Sequence, residues 1–224
     1  MKEIFSRNKN IDKNAYLNFR TYDSDGPNDS ITSIHNMNVI AEGFRDAALS
    51  LVKGLLSNNP NSGADNLIFP ILFNTNHSIE VYLKAICWTQ NLLLNKSDKF
   101  DITHDLRDLF AKVVDLETEL RTPGDNLEFY TMLNGLDAYI DELYGKIERT
   151  FIDKKGNEKI RHDIEFCRYA LSNDSKSHFY INALDNVVVD LENFLVVFEQ
   201  IFKNLDSLLT HYIQLYLDKP EFQA

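Results

Sequence analysis

The sequence predicts an all-α fold, an up-and-down bundle of about five main helices with a small β-ribbon inserted near residues 150–182. Three observations carry this. Apolar residues recur at steps of three and four through long stretches, the period of one helical face. The stretches are separated by clusters of Asn, Asp, Ser, Gly and Pro, the residues that favour turns. The last stretch holds its spacing unbroken from Leu184 to Tyr216, which predicts one long helix.

Residues 1–30 are polar, rich in Asn and Asp, and end in Ser24-Asp25-Gly26-Pro27-Asn28. They are expected to form an irregular arm with at most a short element around Tyr16 to Tyr22. The rest, 31–224, is expected to be a single helical domain. Ser30 can cap a first helix to about Leu56, whose apolar positions Ile34, Met37, Ile40, Phe44, Ala48, Leu51 and Leu55 share one face. A second helix is expected from about Leu67 to Leu94, with Pro70 tolerated in its first turn. Thr103 is the expected cap of a third helix reaching about Arg121, with Leu106, Leu109, Val113 and Leu120 on its buried side. Pro123-Gly124 separates it from a fourth, Leu127 to Arg149, carried by Leu133, Leu136, Ile140, Leu143 and Ile147.

From Thr150 to Asn182 the pattern changes. Phe151-Ile152 and Ile160 flank Lys155-Gly156-Asn157, and Phe166 to Leu171 and His178 to Ile181 flank Ser172 to Ser175, which are short hairpin signals. The final helix then presents Leu184, Val188, Leu191, Leu195, Phe198, Phe202, Leu205, Leu209, Tyr212 and Tyr216 as a heptad seam. Beside it run Val187, Phe194, Ile201, Leu208 and Leu215. Three apolar positions per heptad make a face too wide for a two-stranded coiled coil, so this helix packs among several neighbours. Near its end, at Tyr212, Ile213, Leu215, Tyr216 and Leu217, it is apolar almost all round. Something must cover that end, either residues 1–30 or a second subunit; because the arm is mostly polar, a homodimer through the C-terminal helix is the expectation.

The balance of 34 acidic and 23 basic residues, net -11, argues against broad binding to nucleic acid, which needs Lys and Arg to neutralise phosphates. RNA is therefore possible at a local site but is not favoured by net charge. The basic residues between Lys146 and Arg168 are interspersed with Glu148, Asp153, Glu158, Asp163 and Glu165, as on a solvated face. Cys87 and Cys167 lack any paired-cysteine motif and are expected to be reduced, buried thiols. No secretory signal and no membrane-spanning apolar run is readable, so a cytoplasmic location is expected.

The most specific stretch is Asn74 to Trp88. At about 100° per residue, His77, Glu80 and Lys84 fall in one narrow stripe, opposite Ile79, Tyr82, Leu83 and Ile86. Glu80 precedes Lys84 by four residues, the favourable order for an ion pair. An ordinary solvated stripe would contain such a pair. Val81 and Trp88 in the same stripe point instead to a partly covered face, where charges need partners. His104 stands where the third helix begins, a position suited to a base or a phosphate contact as well as to a plain helix start supplied by Thr103 and Asp105. Phosphate loops, nucleophile elbows and metal-ligand spacings are absent from the sequence, so neither a cofactor nor a metal is expected.

His77-Ser78-Ile79-Glu80-Val81-Tyr82-Leu83-Lys84-Ala85 in a long second helix, followed by Thr103-His104-Asp105-Leu106, resembles the core of the HEPN superfamily, small helical bundles of prokaryotic nucleotide-handling and defence systems. The branch it resembles reads approximately Arg-His-apolar-Ile-Glu, then Leu-Lys-Ala, then His-Asp-Leu, then a Phe-Arg-Tyr-like stretch and a final helix. Here these are Asn76-His77, Ile79-Glu80, Leu83-Lys84-Ala85, His104-Asp105-Leu106 and Phe166-Cys167-Arg168-Tyr169, over about Leu67 to Leu217. The resemblance implies a dimeric interaction or regulatory module in bacterial antiviral defence or a toxin–antitoxin pair, with a protein partner from a neighbouring gene. Many such proteins resemble metal-independent RNases that use an Arg followed by a His four to six residues later. Arg168 and His178 have nine residues between them, and Asn76 stands where an Arg would precede His77. A ribonuclease with a non-standard site at His104 and Arg168, or a binder of a small nucleotide ligand, remains the alternative. The cluster expected to converge is Glu80, Lys84, His104 and Arg168, with His77, Asp105 and Tyr169 beside it.

Overall fold

Helix α1 (Ser30–Ser57) and helix α2 (Ala64–Leu93) form an antiparallel pair joined by a tight turn at Pro60–Ser62. The structure, a computed structural model, describes all residues except 1–2, 24–29, 97–98, 100, 122–126, 153–154, 163, 170, 173–174, 182 and 220–224, and of Arg161 the backbone alone. Helices α3 (Leu106–Leu120) and α4 (Leu127–Ile147) follow, then strands β1 (Glu148–Ile152) and β2 (Glu158–His162), and last α5 (Leu191–Leu217). No helix among the described residues is long and apolar enough to cross a membrane.

α2 is the axis of the bundle. It packs against α1, α3 and α5 and is buried all round from Val81 to Gln90. That explains why its stripe of polar residues is not a solvent face. The α1 contact is close because Ala41 and Ala48 are small: Ser78 Oγ donates to the Ala41 carbonyl at 2.8 Å. Ile34, Ala41, Ala48 and Leu55, spaced by seven, form the buried line of α1, with Val52 beside them. The expected face is thus rotated, and Ile40 is exposed. On α5, Phe194, Phe198, Ile201, Phe202, Leu205, Leu208, Leu209 and Tyr212 bury against the other helices, as a broad apolar face requires.

Several boundaries differ from the sequence reading, each for a local reason. α2 begins at Ala64, so Pro70 lies beyond its first turn. Its missing N–H is tolerated because both Pro70 and Asn66, whose carbonyl loses that donor, are exposed. The cap of α3 is Asp105, which accepts from Arg107 N at 2.9 Å and Asp108 N at 3.1 Å; Thr103 instead accepts from Asp105 N. α5 starts at Leu191 because Asp190 caps it, accepting from Glu192 N and Asn193 N at 3.0 Å each. Leu184 and Val188 therefore stand outside the helix and exposed, and the β-branched run Val187-Val188-Val189 is a poor helix former. α4 passes directly into β1 at Glu148.

β1 and β2 pair antiparallel, Glu148 opposite His162 and Thr150 opposite Ile160, around a turn in which Gly156 takes the positive φ of 82°. The second expected ribbon shrinks to one bridge, Leu171 to Ser177, and Phe166 lies in a 3-10 turn, Ile164–Cys167. In the arm, the short element is a 3-10 turn at Ile11–Lys13 rather than at Tyr16 to Tyr22. Ser24 to Asn28 and Pro123-Gly124 lie outside the described residues.

Candidate functional site

Glu80 and Lys84 are one turn apart on α2, and both are covered. Lys84 keeps 6% of its surface exposed, and its Nζ lies 3.0 Å from Glu80 Oε1. The same oxygen faces His104 Nδ1 at 2.8 Å. His104 comes from the segment that leads into α3, two residues before the first helical residue, so Glu80 ties that segment to α2. His77, one turn before Glu80, brings Nδ1 to 3.9 Å from Oε2, an electrostatic contact beyond hydrogen-bonding distance. Burial pushes the Glu80 carboxyl up, but His77, Lys84 and His104 together outweigh it and hold the group at about 2, against an ordinary 4.5.

Around this core stand groups the sequence reading left out. Asp101, in the α2–α3 connection, pairs with Lys112 Nζ at 2.5 Å and also feels the charge of Lys84; Lys112 holds its carboxyl below the usual range. The His77 ring stacks on Phe73, with centroids 5.8 Å apart and planes 4° from parallel, and meets Phe44 of α1 edge-on at 4.4 Å. The i, i+4 spacing of Phe73 and His77 is the one sequence signal that predicts their contact. Nothing local marks Phe44 or Asp101.

The structure brings together Glu80, Lys84 and His104 directly, with His77 at the rim. Arg168 approaches from the 3-10 turn side: its guanidinium lies 5.6 Å from the Phe73 ring centroid, with Glu165 at 3.8 Å. Arg168 therefore meets the cluster through Phe73, whose ring stacks on His77. Asp105 points elsewhere. Besides capping α3 it accepts from Tyr144 Oη at 2.7 Å, while that hydroxyl accepts from Leu106 N at 2.8 Å, so α3 is pinned to α4. His162 of β2 lies 3.8 Å from the other Asp105 oxygen, and its ring centroid lies 4.6 Å from that of Tyr144, tilted by 51°. Tyr169 is exposed.

Chemically, the arrangement is a partly buried carboxylate held ionised, one lysine locked to it, and one imidazole oriented by it. The imidazole is the accessible part, for the His104 side chain is 75% exposed. Cys87 and Cys167 are free thiols, pushed by burial to about 12 and about 11, so they stay protonated; Cys167 is only partly buried. Among the described residues, no group of three His, Cys, Asp or Glu side chains is placed to hold a metal ion.

Comparison with protein-family models, with curated proteins and with solved structures gives no match in any of the three.

Proposed function

We propose that the chain is a HEPN-like helical interaction module, a homodimer that acts through a protein partner in a bacterial defence or toxin–antitoxin setting. The observation that supports this is the state of the Glu80 cluster. Its carboxylate is satisfied by Lys84 and His104 of the same chain, and Lys84 is sealed in the core. A motif engaged in this way joins α2 to the start of α3 and leaves the surface, with a net charge of -11, for contacts with protein.

One observation favours a second reading. Glu80 holds His104 through Nδ1, and a carboxylate that orients an exposed imidazole is the arrangement of a general base. On that reading His104, with Arg168 as a phosphate contact, cleaves RNA without metal. The two are separated by incubating the purified chain with generic RNA in the presence of a chelator. The interaction module leaves the RNA intact. Rapid cleavage that disappears in His104→Ala transfers the function to the second reading.

A further inference from the structure

The N-terminal arm is held on α1 by a small, specific clamp. Asn36 donates Nδ2–H to the Tyr22 carbonyl at 2.8 Å and accepts the Tyr22 N–H at 2.9 Å, a double pairing that recognises main chain whatever the side chain. The Tyr22 ring sits 5.1 Å from the His35 ring, and Arg20 Nη2 lies 2.6 Å from Glu42 Oε2. Yet Ile4, Phe5, Leu17 and Phe19 remain exposed on the arm. The attachment is thus polar and aromatic, with these large apolar side chains left in water.

The clamp stands at a particular end of the bundle. α1 runs antiparallel to α5, since Lys53 pairs with Glu199 while Arg45 and Glu42 act on Asp206. The first turns of α1 therefore lie beside the last turns of α5, where Leu215 and Leu217 are exposed. The Tyr22–Asn36 pairing lies toward this end, and the Arg20–Glu42 pair lies further along α1.

We propose that the His35–Asn36–Glu42 face of α1 receives the arm of a second copy. In a two-fold pair each arm crosses to the other chain, keeps the same clamp, and lays its apolar side chains over the neighbour's arm and α5 end. Exchange of an identical element conserves every clamp contact, so the apolar surface it covers decides the balance. Six residues, Ser24 to Asp29, link the arm to α1. At about 3.3–3.6 Å per residue they span at most on the order of 20 Å, enough to reach an adjacent bundle end. The inference rests on the homodimer reading and adds which segment makes the interface.

The test uses two full-length chains, one Tyr22→Cys and one His35→Cys, both with Cys167→Ser, co-expressed and treated with a short bismaleimide. Tyr22→Cys preserves the clamp because Asn36 binds the main chain. Exchange gives a covalent two-chain product, and Glu42→Lys lowers its yield several-fold. If no two-chain product forms while a chain carrying both cysteines links within itself, the arm docks only on its own chain and the exchange is overturned. If that doubly substituted chain links neither way, the docking itself is overturned. Light scattering of the unmodified protein separates these failures from that of the dimer: a two-chain mass without exchange product leaves the homodimer standing with another interface.

Discussion

Tyr212 donates its hydroxyl hydrogen bond to Glu117 Oε2 at 2.5 Å, joining α5 to α3 across 95 residues of sequence. Glu117 has no exposed surface. Its other oxygen pairs with Arg121 Nε at 2.5 Å, and Arg121 Nη2 in turn meets His211 Nε2 at 3.0 Å. Gln90 of α2 donates to the Val113 carbonyl and hydrogen-bonds Tyr212. A buried carboxylate that loses a donor bears the desolvation cost of the vacancy. Tyr212→Phe should therefore lower stability by about 1–3 kcal/mol, measured by urea unfolding. A change within ±0.5 kcal/mol would mean that water or Gln90 replaces the hydroxyl.

This network was not legible in the sequence, whereas the Glu80 pair was. Glu80 and Lys84 announce themselves because four residues of helix place them together, and that contact survives whatever packs around it. Glu117 and Arg121 have the same spacing and look like a solvent pair on an amphipathic helix. What the spacing does not show is that Glu117 is fully buried and meets Tyr212 of α5, while Arg121 stays partly exposed. The end points of α5 show the opposite failure. Leu184 and Val188 continue the heptad arithmetic, yet Asp190 stops the helix two residues later, because a capping carboxylate overrides a spacing pattern. The all-α class and the β1–β2 ribbon were legible because both rest on local periodicity and turn residues. The position of Arg168 relative to Glu80 depends on the irregular segment after β2, for which periodicity offers no rule.

Removing Glu80 exposes the asymmetry of a covered ion pair. Glu80→Ala removes the carboxylate that Lys84 meets at 3.0 Å in the core, and should cost more than the ~1 kcal/mol of an exposed pair. Glu80→Ala combined with Lys84→Met should recover most of that, since neither charge then needs a partner. Denaturant midpoints of the two single variants and the double variant give the coupling. Additive losses would show that Lys84 finds another anion, Asp101 being the nearest candidate by charge.

The same carboxylate predicts a pH dependence. Its folded value, about 2, lies below the ordinary 4.5, so the stabilisation is present above 4.5 and is lost as pH falls from there through 2. The difference corresponds to about 3 kcal/mol, of which roughly two thirds is gone by pH 3. Unfolding measured at pH 6, 4 and 3 should fall less steeply for Glu80→Gln than for the unmodified chain. Parallel curves would mean that other carboxylates govern the acid limb.

At the start of α5, Asp190→Ala should cost about 1 kcal/mol, the usual value of a helix cap with two backbone donors. Leu184→Ser and Val188→Ser, outside the helix and exposed, should stay within about 0.5 kcal/mol of the parent. If the seam instead ran from Leu184, both serine variants would cost several times more and the Asp190 variant little. Thermal unfolding of the three ranks them without any assay of function.

The end of α5 separates residues that serve the fold from those left for assembly. Tyr212 is buried by the same chain, Ile213 is partly covered, and Lys219 Nζ donates to the Leu92 carbonyl at 3.1 Å, fastening the helix end to α2. Leu215 and Leu217 each keep 43% of their surface in water. A variant at Ile213 would therefore disturb the fold and the interface at once, whereas Leu215→Glu with Leu217→Glu tests the interface alone. For large apolar side chains, burial yields about 1.5–3 kcal/mol each, and losing two of them in each copy weakens a micromolar dimer by more than a hundredfold. Light scattering should show a two-chain mass for the unmodified protein and a one-chain mass for the double variant at the same concentration, with equal helical circular dichroism. A one-chain mass for the unmodified protein removes the homodimer. A dimer that persists in the double variant places its interface away from this end, on a surface that Leu215 and Leu217 do not reach.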